Sequence, residues 1–187
     1  MQITVMAKKG GVGKSTVSLM LNEAFLQAGR SARVHDWDAQ GTSSKALALI
    51  NGKKTATGPE ADIIIFDTLP SLDHTATKTA VRDANIVLIV TTTAPADIWE
   101  AEEAVQFAQA NNNAKAKIRV VFNKVRKTTL LGRLAAQSGK QTTAPSLPVM
   151  LSERECYKHA IGQGWKALDA AAREEVLQFA VALLSME

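Results

Sequence analysis

Six short runs of apolar, mostly β-branched residues recur along the chain: 2–6 (QITVM), 32–36 (ARVHD), 62–67 (DIIIFD), 86–92 (IVLIVTT), 118–122 (IRVVF) and 147–151 (LPVML). Near-continuous runs of this length suit strands covered on both faces, because neither side of such a strand is polar enough to meet water. Between them the apolar positions change to helical spacing, as in Val17, Leu19, Met20, Ala24 and Phe25. Helices are expected at 14–29, 42–50, 74–83, 97–111, 128–138, 153–162 and 167–185. Alternation of strand and helix throughout predicts an α/β fold, a doubly wound, mostly parallel sheet with helices on both faces, in a single domain over 1–187. The polar stretch 51–60 (NGKKTATGPE), with two glycines and a proline, reads as an exposed loop.

The junction of the first strand and first helix carries the strongest chemical signal. Lys9-Gly10-Gly11-Val12-Gly13-Lys14-Ser15-Thr16 departs from the ordinary P-loop G-x-x-x-x-G-K-[ST], since Lys8 stands where the first glycine belongs, but it fits the variant K-G-G-x-G-K-[ST] throughout. Three glycines let the backbone wrap phosphate oxygens, and the N–H groups at the start of the following helix point at the anion. Lys14 then reaches the β- and γ-phosphates, and the Ser15 hydroxyl is placed to ligate Mg²⁺.

In open parallel sheets ligands sit beyond the carboxyl ends of the strands, so acidic residues there are candidates for the site. The second strand closes on Asp36-Trp37-Asp38-Ala39-Gln40-Gly41 and the third on Asp67-Thr68-Leu69-Pro70-Ser71. Asp67, after four apolar residues, suits the Walker B role of holding Mg²⁺. Asp36, Asp38 and Asp67 can each instead cap the helix that follows.

Length fits one domain, and no stretch approaches 18 uninterrupted apolar residues. With strand and P-loop at the N-terminus in place of a signal peptide, the protein is expected to be soluble and cytoplasmic. A single cysteine, Cys156, excludes an internal disulfide and a four-thiolate metal site within one chain. The net charge of +4 and pI near 9.3 permit contact with DNA or an anionic membrane without requiring either. Lys124, Arg126, Lys127, Arg133 and Lys140 form a basic segment with no acid among them, whereas 96–104 carries Asp97, Glu100, Glu102 and Glu103. Such a basic segment is either a solvated face or a nucleic-acid contact.

Taken in order, K-G-G-V-G-K-S-T, D-W-D-A-Q and I-I-I-F-D-T-L-P resemble the ParA/MinD family of deviant Walker P-loop NTPases, and most closely its small ParF-like plasmid-partition members without an N-terminal DNA-binding domain. The resemblance extends over TTTAPAD, VVFNKVRKTTLL and Ser152–Tyr157. It implies a slow ATPase that cycles between ATP and ADP with Mg²⁺ and acts as a timed switch, its hydrolysis stimulated by a partner. Lys9 matches the signature lysine that reaches the phosphates bound by the other subunit, so turnover requires a homodimer in the ATP state. Asp38 matches the residue orienting the attacking water, and Asp36 and Asp67 match the acids around Mg²⁺. Asn123 matches a position whose amide reads adenine, with Pro148–Glu153 closing the base pocket; asparagine at a strand end is also a common turn residue. Further implications are non-specific DNA binding through Lys124–Lys140 and Arg154, Lys158, Lys166 and Arg173, a ParB-like cargo adaptor, and a cytoplasmic, nucleoid-associated location. Leu69 departs from the family's D-T-P-P, and Pro95 stands alone where some relatives carry two prolines.

Two other classes compete. A membrane-cycling ATPase of the MinD kind needs a basic amphipathic C-terminal helix, but Arg173 is the only cation in 170–184, so no stable membrane association is expected. A small-molecule enzyme on the same fold needs a substrate pocket, for which the short loops after the strands leave little material. One cysteine per chain also falls short of the two that a cluster shared between subunits demands.

Overall fold

The computed structural model describes residues 1–38, 40–50, 61–72 and 74–186. Strands β1 (Gln2–Met6), β2 (Ala32–Asp36), β3 (Ile63–Asp67), β4 (Ile86–Thr91) and β5 (Lys117–Phe122) alternate with helices α1 (Lys14–Gln27), α2 (Thr42–Ile50), α3 (Thr75–Asp83) and α4 (Pro95–Asn111). After β5 come two single-turn helices, α5 (Leu130–Arg133) and α6 (Ala135–Ser138), and then α7 (Glu155–Gln163) and α8 (Ala170–Leu184). The sheet has the order β2-β3-β1-β4-β5 and every pairing is parallel. The expected loop at 51–60 lies outside the described residues.

The apolar runs look continuous because successive side chains feed two different cores. Ile3 and Val5 of β1 and Ile86, Leu88 and Val90 of β4 pack with Leu19, Met20 and Phe25 of α1 and with Val176, Phe179 and Leu183 of α8. Met6, Val87, Ile89, Val120 and Phe122 pack on the opposite face with Ile98, Ala101 and Val105 of α4. The period of two in a strand makes this division automatic. α8 buries its apolar stripe in the first core, the packing role that its charge pattern favoured, and Val181 on its other side is exposed. Among the described residues no helix is long and apolar enough to cross a membrane.

Two expected elements form differently. The run 147–151 lies beside β5 but makes only isolated parallel bridges, Val120 with Ser146 and Val125 with Ser152. The N–H of Leu147 donates to the Val120 carbonyl and that of Leu151 to the Phe122 carbonyl, so four steps along this segment match two on β5. The surplus, Pro148 to Met150, begins at a proline, which has no N–H to offer, and lies outside the ladder. The expected helix 128–138 is broken at Leu134, whose backbone (φ −89°, ψ 1°) leaves the helical region between α5 and α6. Gly132 is the reason the first turn can sit so low: a Cβ there would stand 1.9 Å from the Arg126 carbonyl oxygen.

The segment after Met150 keeps backbone bonds to Phe122 and Val125, and α8 fastens its side chains. Glu175, buried on that helix, accepts from the backbone N–H of Ser152 at 3.0 Å, the Ser152 hydroxyl at 2.6 Å, Arg154 Nη2 at 3.0 Å, Lys127 Nζ at 3.1 Å and the Tyr157 hydroxyl at 3.1 Å. Burial alone would raise its carboxyl, but the bonds from Arg154, Ser152 and Lys127 outweigh it and bring the group from an ordinary 4.5 down to about 2. A carboxyl whose folded pKa is depressed stabilises the fold above its unfolded value and loses that contribution as the pH falls through the folded one. In denaturation titrations the stability gap between wild type and Glu175→Gln should be full above pH 4.5 and close between there and about 2; parallel curves would contradict this.

Candidate nucleotide site

Central strand β1 ends at Met6, and the chain then turns through the glycine loop into α1. Gly11 and Gly13 hold φ of +83° and +96°, a left-handed backbone that glycine alone adopts without strain. Two side chains from the end of β5 hold the loop from behind. Asn123, almost wholly buried, donates through Nδ2 to the Val12 carbonyl at 2.9 Å, and Lys124 Nζ donates to the Gly11 carbonyl at 2.6 Å. In a trans peptide the next N–H points opposite to the carbonyl, so these bonds leave the N–H groups of Val12 and Gly13 on the concave side. No side chain caps the first turn of α1, and its positive end faces the same space.

Lys14 begins α1 and is 7% exposed. Burial lowers its pKa, opposed by the charges of Asp67 and Asp38. Asp67 is fully buried at the end of β3; burial raises its carboxyl, opposed by hydrogen bonds from Ser43 and Ser15. Ser43 Oγ donates to Asp67 Oδ2 at 2.6 Å, while Asp67 Oδ1 is buried without a hydrogen-bond partner. Such an orphaned carboxylate oxygen next to the Ser15 hydroxyl fits a divalent cation. Among the described residues no group of three or more His, Cys, Asp and Glu side chains is arranged to hold a metal ion. Mg²⁺ needs one or two protein oxygens and otherwise takes phosphate and water.

Asp36 is the register partner of Asp67 across β2 and β3. Its Oδ1 accepts from the Asp38 N–H at 3.0 Å and its Oδ2 from the Ser44 N–H at 2.8 Å, so in this state it caps the first turn of α2. Asp38, half-buried, accepts from the Gln40 N–H at 3.0 Å. The Trp37 N–H donates to the Asp67 carbonyl at 2.9 Å and its ring packs 4.7 Å from Phe66, which ties the Asp36–Asp38 turn to the end of β3.

Lys9 points away from its own loop. It is 47% exposed and pairs with Asp97 at 2.5 Å, on the first turn of α4. Burial of Asp97 raises its carboxyl, but Lys9 and Thr92, whose hydroxyl donates to it at 2.6 Å, bring it below the usual aspartate range. Lys8 is likewise paired with Glu103 at 2.6 Å.

Beside the loop, a cleft of about 210 Å³ runs between Thr16, Asn123 and Lys124 on one side and Ser152, Arg154, Tyr157 and Lys158 on the other. The structure thus brings Gly10 to Thr16, Asp36, Asp38, Asp67 and Asn123 together at the carboxyl edge of the sheet. The basic segment is less uniform. Lys124 is bonded to Gly11, Arg126 to Glu153 and Lys127 to Glu175, whereas Arg133 and Lys140 are exposed. Arg154 turns in to Glu175, and Arg173 lies over the Trp165 ring, so neither is a simple surface cation. Sequence reasoning missed Ser43, Asp97 and Glu175: each meets its partner from another element, and only the acidity of 96–104 hinted at one of them.

A parallel sheet with a glycine loop between its central strand and a helix, flanked by a buried lysine and a strand-end aspartate, defines a P-loop nucleotide-binding domain. The model of the CobQ/CobB/MinD/ParA nucleotide-binding domain matches residues 3–164, and the chain belongs to that family. It is 23% identical over 185 residues to maintenance of carboxysome distribution protein A of Halothiobacillus neapolitanus, covering 88% of this chain and 85% of that one. In structure it is similar to a plasmid partition protein from Borrelia burgdorferi B31 bound to AMPPNP (TM-score 0.78, 17% identity, 100% of this chain and 99% of that one). It is also similar to MinD from Aquifex aeolicus in its complex with MinC (TM-score 0.77, 15% identity, 98% and 96%).

Gly13 is the sharpest test of this geometry, since a Cβ there would lie 2.2 Å from Asn123 Nδ2 at a left-handed φ. Gly13→Ala should abolish nucleotide binding in calorimetry while the protein stays folded by circular dichroism. Asn123→Ala leaves the Val12 carbonyl without its partner and should weaken binding by about 1–3 kcal/mol.

Proposed function

We propose that this chain is an ATP-dependent, dimerising ATPase that positions a cargo, binding DNA non-specifically in its ATP state and letting go after hydrolysis. The observation that carries the reading is Lys9: a cation inside the phosphate loop's own motif that faces outward, half exposed, and is paired with Asp97. A second copy facing this surface offers phosphates for Lys9 to meet, and the same holds in reverse, as a two-fold interface requires. Lys14 and the loop N–H groups hold the β- and γ-phosphates. Ser15 and Asp67, with Asp36 nearby, would hold Mg²⁺, which when bound would supply positive charge against the phosphates. Asp38 accepts a hydrogen bond from the attacking water; as that oxygen bonds to the γ-phosphorus, the bond to the bridging oxygen breaks and ADP leaves. Lys9 in trans stabilises the charge that spreads over the transferred group.

The base is assigned to the cleft beside Asn123. Exposed Arg133, Lys140 and Lys166 are the foremost DNA contacts, doubled by dimerisation. The named relatives concern carboxysome distribution, plasmid partition and cell division, which supports a shared positioning motor with the cargo chosen by an adaptor. Burial of the apolar stripe of α8 supports a cytoplasmic, nucleoid-associated cycle over a membrane-bound one.

Lys14→Ala should lose ATP binding, whereas Lys9→Ala should retain it and lose turnover; normal turnover by Lys9→Ala would overturn the reading. Gel shifts on arbitrary DNA should require ATP and weaken steeply with salt, because each phosphate neutralised releases counterions. Equal binding with ADP, or indifference to salt, would remove DNA from the account.

A further inference from the structure

We infer that Glu175 is a positioning residue for the base-binding wall of the nucleotide site, an inference that rests on the assignment of the adjoining cleft to the base. The wall needs such a residue. Backbone bonds hold the segment through Ser152 to β5 and the residues after it, Leu151 N–H to the Phe122 carbonyl, Val125 N–H to the Leu151 carbonyl and Glu153 N–H to the Val125 carbonyl, but they do not fix the side chains of Arg154 and Tyr157. Glu175 supplies that side-chain constraint from a helix that contributes no lining residue to the cleft.

Three residues that line the cleft, Ser152, Arg154 and Tyr157, all converge on this one carboxylate. The Ser152 backbone N–H and the Lys127 ammonium also bond to it. A carboxylate offers about four lone-pair sites, so five donor groups saturate it and leave nothing for a ligand. Its action on a nucleotide is therefore indirect: it fixes the heading of the Arg154 guanidinium and the Tyr157 ring, and with them the width of the cleft. The phosphate loop is held separately, by Asn123 and Lys124. Loss of Glu175 should consequently be felt by the base and not by the phosphates.

The test compares Mg-ATP with Mg-tripolyphosphate, which has the phosphates and no base, by calorimetry on wild type and Glu175→Gln. The expected result is an ATP affinity lower by about tenfold or more, with tripolyphosphate affinity unchanged, and in turnover a raised KM with kcat preserved, the pattern of lost uniform binding. Thermal melting in the same buffer shows that the variant is folded. Tyr157→Phe, which removes one donor and keeps the ring, should give the same base-specific loss to a smaller degree and carries the test should Glu175→Gln fail to fold. Equal losses for both ligands, or none, would overturn the role of Glu175. If wild type itself bound ATP no more tightly than tripolyphosphate, the assignment of the cleft to the base would fail instead.

Discussion

A loop that turns its peptide N–H groups toward an anion must have something to hold its carbonyls the other way. Here Asn123 and Lys124, at the end of β5, do so across the end of β4, and left-handed Gly11 and Gly13 make the shape possible. The parallel sheet serves this arrangement. Order β2-β3-β1-β4-β5 puts the loop at the central strand's exit, with Asp67 and Asp36 in register on one side and Asn123 two strands away on the other. Both cores then exist to keep those strand ends fixed, and the two-sided burial of β1 and β4 follows from that need.

Electrostatics divides the lysines of the loop by burial. Lys14 is enclosed, and its charge is supported by Asp67 and Asp38, a setting in which desolvation already works against the cation and phosphate oxygens would relieve it. Lys9 and Lys8 stay near water and lean on acidic residues of α4, Asp97 in its first turn and Glu103 farther along. Ion pairs of that exposure are easily exchanged for another anion. The same motif therefore carries one fixed cation and one that can be handed elsewhere, which is the physical content of the proposal that two chains complete each other's site.

Much of the fold was legible because it rests on periodicity. Five of the six apolar runs are strands, and α2 occupies the expected 42–50. The run 147–151 misleads because composition cannot register that Pro148 has no N–H and that the ladder skips around it. The helix 128–138 misleads for a related reason: Gly132 and Leu134 look tolerable in a helical pattern, and only the close approach of the Arg126 carbonyl shows why the turns are short. At the site, residues declared by a local motif, Gly10 to Thr16, Asp36, Asp38 and Asp67, stand at the carboxyl edge of the sheet. What could not be read is whatever depends on partners far along the chain. Asn123 was read for a base, and its Nδ2 is engaged on the loop; the role of Asp36 as a cap on α2 was an open alternative that the structure realises in this state. Glu175, with partners from 127 to 157, left no local trace at all.

The claim on which the functional account turns is that Lys9 acts on the partner's nucleotide. Mixing two variants tests it most directly: Lys9→Ala, which keeps Asp38, with Asp38→Ala, which keeps Lys9. In a mixed dimer one site receives its own Asp38 and the other chain's Lys9, while the second site lacks both. The account predicts that neither variant hydrolyses ATP alone and that turnover returns on mixing. A mixture as inactive as its components, with mixed dimers shown to form, would contradict it.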